Sequence, residues 1–153
     1  MRLYLVQHGE ALTKDVDPER PLSDQGSADI ARLAEWLANR DVTVTQILHS
    51  GKTRARQTAE LLEPVLASGG LIRPAEDLGP NDPPEVFLDD LKNAKKDTLV
   101  CGHLPFVARA VSQAVTGSED QPLVEFRPGS MACLERDESN AWRLVCFVRP
   151  GFY

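Results

Sequence analysis

Short strand-like apolar runs alternate with segments of helical periodicity along the first two-thirds of the chain. In the segment 24–40, apolar residues recur at three- and four-residue spacing, which predicts an amphipathic helix that Ser23 caps. Runs rich in β-branched and aliphatic residues predict strands. The same patterns predict strands at 2–7, 42–48, 71–74 and 97–101, and helices at 53–66, 84–93 and 106–115, with residues 68–70 closing the helix that precedes them.

The last third of the chain has a different pattern. Residues 123–126, 130–136 and 142–149 are strand-like, and the polar segment 137–140 is suited to the hairpin turn between the last two. Alternating strands and helices followed by a hairpin predict an α/β fold, with three α/β/α layers around a mainly parallel sheet that has an antiparallel edge. No repeat or linker interrupts residues 1–153, so we expect a single domain.

Composition narrows the class of protein. Of the 153 residues, 42% are hydrophobic and 26% are charged, as in globular chains, and the apolar runs fall far short of the ~18 residues of a membrane span. The formal net charge of -6 disfavours general binding to nucleic acid or anionic membranes. The start of the chain does not resemble a signal peptide, so we expect a cytoplasmic protein. Cys101, Cys133 and Cys146 form no C-x-x-C pair and lie in apolar runs, which predicts buried, reduced thiols.

Candidate chemistry is concentrated at the ends of predicted strands. His8 and His103 each follow such a run beside a glycine, and Ser50 follows another run. Because the carboxyl ends of parallel strands meet at one edge of a sheet, we expect these residues to converge. Arg54 falls in the first turns of the next predicted helix, where free N–H groups and the helix dipole favour an anion. The combination predicts a phosphate pocket and phosphoryl transfer.

The expected role of each residue follows from its side-chain chemistry. A neutral His8 can attack phosphorus through one ring nitrogen, giving a phosphoramidate that water later hydrolyses. Arg54 and a protonated His103 would offset the charge on the transferred group. Gly9 would let the backbone approach the phosphate closely, and Ser50 would be an additional donor.

Four short motifs contain these residues: Gln7-His8-Gly9, the run 20–26 (Arg-Pro-Leu-Ser-Asp-Gln-Gly), the run 50–58 (Ser-Gly-Lys-Thr-Arg-Ala-Arg-Gln-Thr) and Gly102-His103. In this combination the chain resembles the histidine phosphatase superfamily, most closely its phosphohistidine phosphatases of the SixA type. The resemblance implies a phosphoglycerate mutase-like fold, a phosphohistidine intermediate at His8, and neither metal nor other cofactor. It also implies a His-phosphorylated phosphorelay or phosphocarrier protein as partner.

Gln7 departs from the family pattern, in which an Arg at this position adds a positive charge to the phosphate pocket. Gln offers only neutral amide donors, so weaker phosphate binding is expected unless Arg20 or Lys14 supplies the charge. The substrate-binding residues predicted from the motifs are Gln7, Gly9, Ser50, Gly102 and Arg20.

The chain lacks the insert with which larger members of the superfamily cover the pocket and supply a carboxylic acid. The labile P–N bond of a phosphohistidine makes a dedicated acid less necessary, and an open pocket admits a protein surface. Glu76 and Asp82 are candidate proton donors, and Glu10 is expected to be exposed.

Three other interpretations follow from the same residues. A small-molecule phosphomonoesterase of the same superfamily would act on phosphate esters, and a catalytically weak phospho-ligand-binding module would follow from Gln7. A metal site is disfavoured, because the spacing is unusual for zinc and no carboxylate cluster supports it. Its ligands would be His8, His49, Cys101 and His103. His49 is expected to end its strand without contacting the substrate.

Overall fold

The path of the chain through one central sheet decides which strand ends meet. The computed structural model describes residues 1–66 and 71–153. In these ranges the strands are β1 (Arg2–Gln7), β2 (Gln46–His49), β3 (Leu71–Pro74), β4 (Thr98–Gly102), β5 (Met131–Arg136) and β6 (Trp142–Val148), and the helices are α1 (Asp24–Ala38), α2 (Thr53–Leu66), α3 (Pro84–Asp90) and α4 (Phe106–Thr116).

The sheet has the order β3-β2-β4-β1-β5-β6. The first four strands of that order are parallel, and β5 and β6 pair antiparallel beside β1. The predicted mainly parallel sheet with an antiparallel edge is therefore confirmed. The carboxyl ends of β1, β2 and β4 lie side by side, which brings the segments that follow them to one edge.

Helices cover both faces of the sheet, because successive side chains of a buried strand point to opposite sides. On β1, Val6 packs with α1 and α2 through residues such as Ile30 and Leu62. Its neighbour Leu5 packs on the other face with α3 and α4, where Phe106 is wholly buried. The predicted three-layer arrangement is confirmed. In the ranges described, no helix is long and apolar enough to cross a membrane.

The predicted start of α1 at the Ser23 cap is confirmed. The Ser23 Oγ accepts a hydrogen bond from the Gly26 N–H at 3.0 Å, as the N-cap prediction requires. The predicted helix at 84–93 is shorter in the structure and ends at Asp90. The closure predicted at residues 68–70 lies outside the described residues.

Two strand predictions were wrong in part or whole. Residues 123–126 form no strand, and the apolar Phe126 instead packs against Phe147 with ring centroids 5.1 Å apart. The strand predicted from Val42 begins only at Gln46, because the Val44 N–H donates to the carbonyl of Leu66 rather than to a neighbouring strand. Phe126 in the first segment and Val44 in the second are thus buried without belonging to a strand.

Candidate active site

His8 follows β1 directly, and its ring is held in a defined orientation. Its backbone N–H donates to the Gly102 carbonyl of β4 at 3.0 Å. The ring Nδ1 lies 2.7 Å from the Gly9 carbonyl, which can only accept, so Nδ1 carries the proton. The Nε2 is then free to accept, and the Nε of Arg54 donates to it at 3.1 Å.

The surroundings of His8 keep its ring neutral. Burial lowers its pKa to about 4, and the positive charges of Arg54 and Arg20 act in the same direction, while the hydrogen bond to Gly9 opposes them. At neutral pH the ring therefore has a lone pair on Nε2 beside a guanidinium group. A nitrogen nucleophile for phosphorus needs this protonation state.

His103 follows β4 and lies against His8, with ring centroids 5.0 Å apart and an angle of 60° between the rings. Its Nε2 is 2.5 Å from the Ser50 Oγ, at the end of β2. Among the described residues its buried Nδ1 has no hydrogen-bond partner. The two histidines and Ser50 thus converge from three strand ends, as the sequence predicted.

The protonation state of His103 differs from the sequence-based expectation. Burial, followed by the charges of His8, Arg54, Lys52 and Arg20, lowers its pKa to about 3, so the protein groups alone leave this ring neutral rather than cationic. Burial and neighbouring cations could not be read from the motif. An anion between the two rings would favour the protonated form, because opposite charge raises the pKa of an imidazole.

Thr58, in the second turn of α2, ties Arg54 to the loop after β1. Its Oγ1 donates to the Arg54 carbonyl at 2.8 Å and accepts from the Gly9 N–H at 3.1 Å. The Gly9 N–H is therefore engaged within the protein rather than directed to a ligand. Thr58 lies in a recognised motif, but its linking role was not predicted.

Glycines at positions 9 and 26 allow this loop to cross the first turn of α1. A Cβ on Gly9 would lie 2.9 Å from the Gly26 carbonyl oxygen. A Cβ on Gly26 would lie 2.1 Å from the Glu10 carbonyl oxygen, well inside any permitted contact. The loop after β1 and the start of α1 are consequently interlocked.

Arg20, one of the two cations predicted to replace the family's Arg, lines the cavity beside His8. It adopts a left-handed backbone conformation with φ 51°, and its Nε donates to the Leu12 carbonyl at 3.3 Å. The loop is held from α2 by Gln57, whose Oε1 accepts from the Leu22 N–H at 2.8 Å. Lys14, the other candidate to replace the family's Arg, is exposed and does not line the cavity.

Gln7, the last residue of β1, is buried, and the turn before β5 fixes its backbone. The Gln7 N–H donates to the Ser130 carbonyl at 2.9 Å, and the Gly129 N–H donates to the Gln7 carbonyl at 3.1 Å. The Tyr153 hydroxyl in turn donates to the Gly129 carbonyl at 2.9 Å. The Gln7 Oε1 has no partner among the described residues.

These side chains surround a cavity of about 360 Å³. The predicted residues Gln7, His8, Arg20, Arg54 and His103 line it, whereas Gly9, Ser50 and Gly102 contact lining residues instead. The lining residues that sequence reasoning did not assign to the site are Glu10, Ala11, Pro80, Leu104 and Pro128. Glu10 and Leu104 directly follow recognised motifs, and this position could have indicated that they line the site. Pro80 and Pro128 come from segments that no motif connects to it.

Several other polar residues stay outside the site. His49 accepts from the Gly51 N–H at 3.1 Å and does not line the cavity. Neither Glu76 nor Asp82 lines it, and Asp82 instead accepts from the Gly79 N–H at 2.6 Å. Within residues 1–66 and 71–153 no cluster of His, Cys, Asp and Glu side chains could hold a metal ion.

Comparisons with known proteins give the family and the fold to which this chain is similar. Residues 3–75 match the family model of the histidine phosphatase superfamily, branch 1. The chain is 29% identical over 145 residues to the phosphohistidine phosphatase SixA of Escherichia coli K12, covering 92% of this chain and 88% of that protein. Its fold is similar to that of SixA complexed with tungstate, with a TM-score of 0.88, 24% identity and 99% and 98% of the two chains covered. A protein assigned as SixA from Agrobacterium tumefaciens matches with a TM-score of 0.76 and 25% identity over 97% of each chain.

The chain is similar to the histidine phosphatase superfamily, whose family model matches its residues 3–75. It is a phosphatase of the hydrolase class, and a metal-independent mechanism fits this family. It is similar to SixA along nearly its whole length, so the resemblance inferred from four short motifs is confirmed.

Proposed function

We propose that this chain is a phosphohistidine phosphatase that removes phosphate from a phosphorylated histidine of a protein, through a phosphohistidine formed at His8. One observation carries the proposal: the His8 Nδ1 lies 2.7 Å from the Gly9 carbonyl, and its Nε2 lies 3.1 Å from the Nε of Arg54. The reacting nitrogen is unprotonated and adjoins a cation able to bind the anion that it attacks. In this proposal residues 1–153 act as one histidine phosphatase domain.

In the first step the His8 Nε2 forms a bond to phosphorus while the P–N bond of the substrate breaks, and the leaving imidazole takes a proton from water. Arg54 transfers its N–H donors from His8 to the phosphoryl oxygens, because a charge-assisted bond to an anion is stronger than one to a neutral ring. His103, bonded to Ser50, takes up a proton as negative charge enters and donates to the same oxygens. Water then attacks phosphorus, and the P–Nε2 bond breaks to release phosphate.

The charge that Gln7 does not supply is provided in this proposal by Arg20. Arg20 lines the cavity and is close enough to lower the pKa of both His8 and His103. Gln7 contributes a neutral amide at the side of the phosphate. Ser50 acts as a donor beside His103, whereas Gly9 and Gly102 serve by orienting His8 through their carbonyl oxygens.

A protein partner is supported by the rim of the cavity. Pro80, Leu104 and Pro128 line its mouth, and Leu104 is 40% exposed directly beside His103. A phosphoryl group on a protein surface could thus reach His8 while its apolar neighbours contact this rim. We propose a His-phosphorylated phosphorelay or phosphocarrier domain as the partner, met in the cytoplasm.

Phosphoenzyme trapping with a substrate panel tests this proposal. The protein is incubated with a radiolabelled phosphohistidine domain, a phosphohistidine peptide and a set of phosphate monoesters. We expect acid-labile, base-stable label on His8 and a higher kcat/KM for the phosphohistidine substrates than for any ester. Label on another residue, or turnover of esters alone, would contradict it.

A small-molecule phosphomonoesterase is the second candidate, and Glu10 is the observation that favours it. Among the described lining residues Glu10 is the one carboxylate, so it could protonate an alcohol leaving group. Its Oε1 accepts from the Ser23 hydroxyl at 2.9 Å. If esters are the substrates, Glu10→Gln lowers ester turnover; if phosphohistidine is the substrate, the same variant leaves phosphohistidine turnover nearly unchanged.

The weak-binding alternative is tested at Gln7. Gln7→Arg adds a charged donor to the pocket, so we expect the inhibition constant of orthophosphate to fall about tenfold, as one charge-assisted bond predicts. Turnover that appears only in the variant would identify the natural chain as a binding module. Equal turnover in both proteins would exclude that interpretation.

A further inference from the structure

The hairpin of β5 and β6 places two cysteines opposite each other. Cys133 and Cys146 are direct register partners in this antiparallel pair. Both lie on the face covered by α1 and α2, Cys133 within the core and Cys146 packed against it. Directly opposed residues have Cα atoms about 4.5–5.5 Å apart, which falls inside the range that a disulfide spans.

The surroundings make the two thiols unequal. Both are free, but Cys133 is buried and Cys146 is partly exposed, contrary to the prediction that all three cysteines are buried. The neighbouring Cys133 thiol lowers the pKa of Cys146 against the opposing effect of burial, and the positive charges of Arg2 and Arg40 lower it further. Such surroundings favour a reactive thiolate. Cys101 is the internal contrast, because it is fully buried on β4 and burial raises its pKa.

We propose that Cys133 and Cys146 form an oxidisable pair, with Cys146 attacking a hydroperoxide and Cys133 closing a cross-strand disulfide. The Cys146 thiolate forms a bond to one peroxide oxygen as the O–O bond breaks, leaving a sulfenic acid and, after protonation, water or an alcohol. The Cys133 sulfur then attacks the Cys146 sulfur. The S–S bond forms, the S–O bond breaks, and the hydroxide leaves with the Cys133 proton as water. The two thiols lose two electrons, which reduce the peroxide.

The pair stands apart from the candidate active site. Neither cysteine lines the cavity around His8, and Cys133 pairs with Tyr4 near the middle of β1. A disulfide would close the hairpin loop and restrict the unfolded chain. We therefore expect the oxidised protein to melt at a higher temperature and to hydrolyse phosphoramidate at an unchanged rate.

Mass spectrometry of the full chain treated with hydrogen peroxide tests the proposal. The expected result is loss of the mass of two hydrogen atoms, a peptide map that links Cys133 to Cys146, and reversal by dithiothreitol. Cys101 should remain open to alkylation after denaturation. Recovery of both thiols unoxidised, or sulfinic acid at Cys146 beside an intact Cys133 thiol, would overturn it.

Two variants assign the roles. In Cys133→Ala, peroxide should leave a sulfenic acid at Cys146 that dimedone traps. If that variant does not fold, Cys146→Ser at the more exposed position is informative by itself, because its Cys133 should remain a thiol under the same treatment. Oxidation of Cys133 in Cys146→Ser at the rate seen for the unchanged protein would contradict the assigned order.

Discussion

The parallel and antiparallel halves of the sheet contribute to the candidate site in different ways. Strands β1, β2 and β4 deliver His8, Ser50 and His103 from neighbouring carboxyl ends, and α2 adds Arg54 in its first turn. In the described residues, the antiparallel hairpin of β5 and β6 places no side chain in the cavity lining. It instead holds the backbone of β1 through the turn that precedes β5. Parallel strands gather chemical groups at one edge, while the hairpin fixes their position.

The most direct way to break this comparison is His8→Ala. Without the Nε2 nucleophile no phosphoenzyme can form, so we expect hydrolysis to fall to the level of a sample without enzyme. His49→Ala is the matched control, because His49 also ends a parallel strand but lies outside the cavity lining. Phosphohistidine turnover by His8→Ala at a normal rate would remove the proposed nucleophile.

Arg54→Ala should have the next largest effect. Removal of a preorganised cation from the phosphoryl group is expected to lower kcat/KM by about 10²-fold. The control is Arg56→Ala, two positions along the same helix, where the side chain is exposed and paired with Glu60 at 3.1 Å. Steady-state kinetics on a phosphohistidine peptide compare the two variants. Equal losses would indicate a general effect of charge on α2.

The pH dependence of stability sharpens the comparison, because all three histidines lie in the parallel half. An unfolded histidine has a pKa near 6.5, whereas His8 and His103 have folded values of about 4 and about 3, so the unfolded chain binds protons first as pH falls. The contribution of these two rings to the free energy of unfolding is therefore complete above about pH 6.5. It declines below that pH, by about 2 kcal/mol or less per ring between about pH 7 and about pH 5. Urea denaturation of the unchanged protein and of a His8→Gln, His103→Gln double variant measures this slope. An unchanged slope in the double variant would contradict the assignment.

Tyr153→Phe should have the smallest effect and tests the supporting role of the turn before β5. The variant loses the hydrogen bond to Gly129, whose N–H contacts the carbonyls of Gln7 and His8. We expect a loss of about 1 kcal/mol in stability and a few-fold decrease in kcat with little change in KM. Tyr4→Phe also removes a tyrosine hydroxyl, in the core of β1 and outside the cavity lining, and as the control it should leave kcat unchanged. Identical kinetics in both variants would show that Tyr153 acts only on stability.

Much of this arrangement could be predicted because strand ends and helix starts have local signals. The strand-end positions of His8 and His103 and the Ser23 cap depend on short runs of sequence. The protonation of His103 and the facing of Cys133 and Cys146 depend on burial and strand register, which neighbouring elements determine. Register in the hairpin even shifts immediately after Cys133. Such properties arise only when distant segments pack.

The strand predicted at 123–126 failed for a related reason. Phe126 does reach the core, whereas Leu123 is exposed, and in the described residues no neighbouring strand pairs with this segment. The hydrophobic pattern of a short segment indicates which side chains can be buried, but it does not determine whether the backbone pairs in a sheet. Pro128 lies just after this irregular segment and lines the cavity. Because the segment was predicted to be a strand, the sequence did not indicate that Pro128 belongs to the site.

The close approach at Gly26 has a consequence for protein engineering. Since the Glu10 carbonyl occupies the space of any side chain at position 26, a chimaera that transplanted only residues 7–9 onto a foreign scaffold would place the nucleophile on an unsupported loop. A graft that keeps this loop in place must therefore extend at least from the end of β1 into the first turn of α1, and Gly26 sets that lower limit.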